Sequence, residues 1–175
     1  MTGEKKVEIR RGLRDVYIDR THSSFIDGKV GKLLYRGFNI NDLAQNSTFE
    51  ETAYLLLKGE LPNASQLAEF DGQLRANREA SSELLDIIRL TASAHPMDVL
   101  RTAVSASAGP DPEASDISTE ATIRKGIALT ALVPTVVTAH ARIVQGKEPV
   151  APRSDLSHAA NFLYMLFGEE PDPQD

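Results

Sequence analysis

The residues able to move protons or hold metals are few and widely spaced. Four histidines, His22, His95, His140 and His158, are scattered over 175 residues. No two stand at the i, i+4 spacing that pairs imidazoles on a helix for zinc. His95 precedes Pro96 where a helix can begin, so its ring can accept from a free backbone amide. His140 falls near the end of a long apolar segment, where a protonated ring suits the negative end of a helix. His158 lies in an apolar run and reads as a packed, hydrogen-bonded residue; His22 reads as a surface residue beside a turn. The chain has no cysteine, which excludes disulfides, thiolate ligands and cysteine nucleophiles. Asp111, Glu113 and Asp116 gather carboxylates in one short loop but lack the glycine and terminal glutamate of a calcium loop. A solvated acidic loop is the expectation there. The hydroxyl residues between Ser105 and Thr130 have no histidine at local spacing, and pairing with a distant one stays open. There is no phosphate-cradling glycine loop and no dinucleotide fingerprint.

One basic cluster can recognise phosphate. Arg10, Arg11 and Arg14 stand together, with Lys5 and Lys6 close by, and guanidinium groups bind phosphate through paired hydrogen bonds. A solvated basic N-terminus explains the same residues and is the favoured alternative. The net charge of −6 argues against a nucleic-acid partner, which needs a basic face. Hydrophobic content of 41% and charged content of 25% fit a globular domain with a real core. Residues Met1 to Arg14 are charged and show no apolar stretch of the secretory type, so a cytoplasmic location is expected. The longest weakly charged run, Gly126 to Ala141, is shorter than the roughly 20 residues of a membrane span. It contains Pro134 and His140 and reads as a buried helix, not a membrane anchor.

These residues are carried by a predominantly helical chain with a small β region at its start. Asp27-Gly28 lies between two short apolar runs and signals a hairpin, with Gly31 and Gly37 as further bending points. Thr48 and Glu51 form a capping box ahead of Ala53, Leu56 and Leu57, and Gly59 with Pro62 stops that helix. Helices are predicted over Asn63–Ala76 (Leu67, Phe70, Leu74 on one face), over Ser82–Leu90, and from Pro96 to Ala108. A long helix follows over Ser118–Val144. It is apolar on nearly all sides, so burial between other elements is expected, and Pro134 should kink it. Gln145 to Ser154 reads as a linker, and Asp155–Phe167 as a last helix capped by Gly168. The expected division is a β region at 1–40, helices at 41–168 and an acidic tail at 169–175.

Four blocks in this order resemble the citrate synthase family. The first is Ser24 to Ile40, around Asp27-Gly28, Gly31-Lys32 and Arg36-Gly37-Phe38-Asn39-Ile40. The second runs from Phe49-Glu50-Glu51 to Gly59-Glu60-Leu61-Pro62. The third is His95-Pro96-Met97-Asp98-Val99-Leu100-Arg101. The fourth is Asp155-Leu156-Ser157-His158-Ala159-Ala160-Asn161-Phe162-Leu163-Tyr164-Met165-Leu166-Phe167-Gly168. The resemblance implies a mainly α, multi-helical portion of a citrate synthase-type large domain, from the N-terminal part of the enzyme, with a small β hairpin.

It also implies the reaction. Citrate synthases condense acetyl-CoA, and their relatives propionyl-CoA, with oxaloacetate. They use two histidines and an aspartate in general acid–base catalysis, with no metal and no covalently bound cofactor. Those motifs belong to the later part of the family's sequence and have no match here, so no catalytic residue is assigned and the chain alone is expected to be inactive. Some members set an arginine just before the first strand against coenzyme A phosphates, and Arg11, in Arg11-Gly12-Leu13, is the nearest match. The resemblance further implies a homodimer, or association with a chain that carries the missing half, through the Pro96–Ala108 and Ser118–Val144 helices. Small residues Ala103, Ala106, Gly126, Ala128 and Ala131 would allow close approach there. The competing reading is a non-catalytic interaction or regulatory module that keeps the helices without the chemistry.

Overall fold

The computed structural model describes Gly12, Val16 and residues 19–172. Three short strands, β1 (Ser24–Asp27), β2 (Lys32–Tyr35) and β3 (Phe38–Asn39), form an antiparallel sheet in the order β1-β2-β3. Asp27 Oδ1 accepts from the Lys29 amide at 3.0 Å, closing the first turn. The second turn has only two residues, since Tyr35 pairs with Phe38. Its central residues, Arg36 and Gly37, have φ of 48° and 92°, the left-handed pair that a tight hairpin requires. Arg36 tolerates that conformation while its side chain is tied down: Nη2 donates to Leu56 O at 3.0 Å.

Among the described residues seven α-helices follow: α1 (Ile40–Asn46), α2 (Phe49–Lys58), α3 (Ala64–Ala76), α4 (Ser82–Thr91), α5 (Pro96–Ala106), α6 (Thr119–Val144) and α7 (His158–Phe167). Their starts are set by side-chain caps. The Thr48–Glu51 box is complete, with Thr48 N donating to Glu51 Oε2 at 2.7 Å. Asn63 and Gln66 form a second box that opens α3. Ser81, Ser118 and Ser157 each accept an amide from the first turn of α4, α6 and α7. α2 and α7 end at Gly59 and Gly168, both left-handed, which spares a Cβ the clash.

α6 is the spine, packed against α3, α4, α5 and α7. Its first half meets Tyr54 of α2 and Phe70 and Leu74 of α3 through Ile127 and Ala131. Its second half meets Leu84 and Ile88 of α4 and Val99 and Ala103 of α5 through Val136 and Ala139. By length and composition α6 could also span a membrane; here these contacts use it as a core helix. It is buried between other elements, as expected, through Ala121, Ile127, Ala131, Thr135, Val136, Thr138 and Ala139, while Val137 stays 38% exposed. The helix runs unbroken through Pro134, and the Thr138 hydroxyl donates back to Pro134 O at 2.9 Å.

Two expected helices are shorter by two or three residues. α5 ends at Ala106 instead of Ala108, with the Ser107 hydroxyl turned back on Val104 O. α7 begins at His158 instead of Asp155, because Ser157 takes the cap and Asp155 is drawn to Arg153. α1 has no periodic apolar stripe, only one buried residue, Leu43, and a start set by Asn39 accepting from Asn41 N.

Candidate functional site

Arg11, the one residue expected to bind a ligand, lies outside the described residues. The histidines do not converge. His22 is exposed. His95 caps α5, its Nδ1 accepting from Met97 N at 3.2 Å. His140 does not serve the end of its own helix: Nε2 lies 3.2 Å from Ala92 O, the cap carbonyl of α4. Among the described residues no group of three acidic or histidine side chains is placed to hold a metal. The acidic loop is not merely solvated. Arg124 pairs with Glu113 at 2.8 Å and with Asp111 at 3.3 Å, and the Glu113 amide, then Arg124, hold the Asp111 carboxyl below the usual range.

Only His158 is buried, at 6% exposure, inside a polar seam where α7 meets α2, the α3–α4 turn and the 145–157 connector. Phe49 stacks flat on its ring, with centroids 4.3 Å apart. Glu50, in the first turn of α2, accepts the His158 backbone amide at 2.9 Å, so one carboxylate faces the positive ends of two helices. Arg78, 1% exposed, donates Nη1 to Arg153 O and Leu156 O, both at 2.9 Å. Its own carbonyl accepts from the Thr135 hydroxyl at 2.6 Å. Asn161 Oδ1 accepts from Arg153 N at 2.7 Å. Asp71 holds Arg75 at 2.7 Å, and Arg75 also bonds Ser154 O. Arg78 Nε and Nη2, Asp71 Oδ1 and His158 Nδ1 are buried without a protein partner.

Burial pushes the His158 imidazole below its ordinary value; the nearby Arg78 charge adds to this, and Glu50 and Asp71 oppose it. Burial, then Arg75, likewise lowers the Arg78 guanidinium. Desolvation therefore disfavours the charged form of the imidazole in the seam. Beside it opens a largely apolar cleft of about 670 Å³, lined by His158 itself with Phe49, Thr130, Val133, Pro134 and Phe162. This arrangement positions helices and offers an apolar surface; it brings no acid–base pair onto a reacting atom. Sequence reasoning anticipated His158 as a packed residue. It missed Glu50, Asp71, Arg78 and Asn161 as a set, because their partners lie up to 108 residues away.

A smaller groove of about 440 Å³ runs along Ala128 between α5, α6 and the loop joining them. Of the small residues expected at a helix–helix interface, Ala103 and Ala131 are spent in the core at 0% and 1% exposure. A Cβ on Gly126 would meet Leu57 at 3.4 Å. Ala106 and Ala128 remain available.

Known proteins give the comparison. A family model described as "Citrate synthase, C-terminal domain" matches residues 12–175. The citrate synthase of Deinococcus radiodurans is 44% identical over 167 residues, covering 95% of this chain and 44% of that protein. A 2-methylcitrate synthase of Mycobacterium tuberculosis is 38% identical over 172 residues, covering 98% of this chain and 43% of its own length. The crystal structure of citrate synthase from Pyrobaculum aerophilum superposes with a TM-score of 0.85 at 42% identity, over 92% of this chain and 42% of that one. The chain thus spans less than half the length of these relatives. On the match over residues 12–175 and on the shared fold, it belongs to the citrate synthase family.

Proposed function

We propose that residues 1–175 are the N-terminal portion of the large domain of a citrate synthase-type acyltransferase, which condenses acetyl-CoA or propionyl-CoA with oxaloacetate. The family match over residues 12–175 carries this reading. The matching model is described as a C-terminal domain; the N-terminal placement rests instead on the order of the four sequence blocks. Relatives include both citrate and 2-methylcitrate synthases, so the acyl group stays open between two and three carbons.

In this reading the chain supplies framework, and the chemistry comes from the remainder of the enzyme. The polar seam fixes α7 and the connector on α2 and α6. The groove at Ala128 is a surface on which a second copy, or the remaining half, seats. Arg11 contacts a coenzyme A phosphate in the complete enzyme. The burial of His158 under the Phe49 ring, with its amide held by Glu50, supports a framework role.

The test joins this chain to the part of the Deinococcus radiodurans citrate synthase outside its matched segment. The folded hybrid should release coenzyme A only when oxaloacetate is present. Arg11→Ala in that hybrid should raise KM for acetyl-CoA roughly tenfold, the weight of one charge-assisted hydrogen bond. A folded hybrid without turnover contradicts the reading, and an unchanged KM returns Arg11 to a solvated surface role.

A further inference from the structure

The loop between α5 and α6 carries no regular structure, yet one side chain gathers its backbone. Lys125, in the second turn of α6, directs its ammonium to Ala114 O at 3.1 Å, Glu113 O at 3.3 Å and Asp116 O at 2.5 Å. An ammonium has three N–H donors, so its whole hydrogen-bonding capacity goes to one loop. Arg124 adds its ion pairs to Asp111 and Glu113. At the two ends, Asp111 Oδ1 accepts from Glu113 N and Asp116 Oδ1 accepts from Ser118 N, at 2.9 and 2.8 Å. Ile117 is held at 92% exposure just before α6 begins.

Backbone carbonyls converging on one positive charge are the donor set of a monovalent-cation site. We propose that Lys125 is a tethered cation: its ammonium occupies a carbonyl cage suited to ammonium or potassium, and so latches the α5–α6 loop onto α6. The latch has a structural consequence. Pro110, Pro112 and Ala114 of that loop form one wall of the groove over Val104, Ala128 and Leu132. Lys125 is therefore a positioning residue for that groove, acting through the loop.

Hydrogen exchange on the intact chain tests this. The Ala114 and Asp116 amides, bonded to Asp111 O and Glu113 O at 3.1 and 2.9 Å, report the loop, and the α4 amides report global stability. Lys125→Met keeps the aliphatic stem and removes the charge. It should speed exchange of the loop amides about tenfold or more, while α4 stays unchanged. Lys125→Ala should do the same and open the cage. Ammonium or potassium chloride should then slow its loop exchange again, whereas tetramethylammonium chloride, too large for the cage, should not. Unchanged loop exchange in Lys125→Met overturns the latch, as does an equal acceleration in α4. Absence of rescue by ammonium and potassium, or equal rescue by all three salts, overturns the cage.

Discussion

The α4–α5–α6 core and the seam around His158 bury side chains by opposite means. The core closes Leu84, Ile88, Val99, Ala103, Val136 and Ala139 on one another. Each of these is placed by the repeat of its own helix, and the stabilisation is apolar area removed from water, about 25 cal/mol per Å². The seam closes Arg78 and Asn161 on backbone groups of a connector with no regular structure, and Glu50 on the His158 amide at the start of α7. Burying charge without such bonds is costly, and Arg78 Nε and Nη2, Asp71 Oδ1 and His158 Nδ1 already lack a protein partner, so little compensates a further loss. The core should tolerate small losses of volume, and the seam should fail when one member is removed.

The largest expected effect therefore lies in the seam. Arg78→Ala strips two connector carbonyls of their donor and takes a nearby positive charge from Glu50 and Asp71, of which Asp71 keeps Arg75. Unfolding in urea should show a loss of about 3–5 kcal/mol, the usual cost of breaking a buried charged arrangement. A loss below 1 kcal/mol would erase the contrast. In the core, Ile88→Val removes one buried methylene and should cost about 1 kcal/mol, with the urea dependence unchanged. A value as large as that of Arg78→Ala would show a core as intolerant as the seam.

The smallest effect is a pH dependence. The folded-state pKa of His158 lies below the ordinary 6.5, so on acidification the unfolded chain takes up the proton first. The stability due to the neutral ring is complete above about pH 6.5 and declines as pH falls from there toward the folded-state pKa. His158→Asn should lack this acid-side decline, while His22→Gln, changed at an exposed site, should keep it. Identical pH profiles for the wild type and His158→Asn would remove His158 from the account.

The same contrast explains what could be read from the residues alone. The Thr48–Glu51 box, the Asp27-Gly28 turn and the His95 cap depend on groups two or three positions apart, and each appears where expected. The apolar faces of α3 to α5 follow from helical repeat, whereas α2 buries Tyr54 and Leu55 more deeply than the expected Ala53, Leu56 and Leu57. The β3–α1 segment was not anticipated, since two strand residues and a helix with one buried side chain leave no periodic signal. The burial of α6 between other elements was legible from its apolar composition, but composition along one helix does not say which neighbours cover it. The seam was hidden for a further reason. Arg78 looks like any charged turn residue until the fold brings Arg153 and Leu156, 75 and 78 positions away, against it.

The central claim is that this chain carries the scaffold of a citrate synthase without the groups that do the chemistry. It is tested most directly by oxaloacetate-dependent release of coenzyme A from acetyl-CoA. The assay uses purified residues 1–175, prepared from cells that lack a citrate synthase of their own, beside the intact Deinococcus radiodurans enzyme. The account predicts turnover from the intact relative and none above background from this chain. Sustained turnover by this chain alone would contradict it.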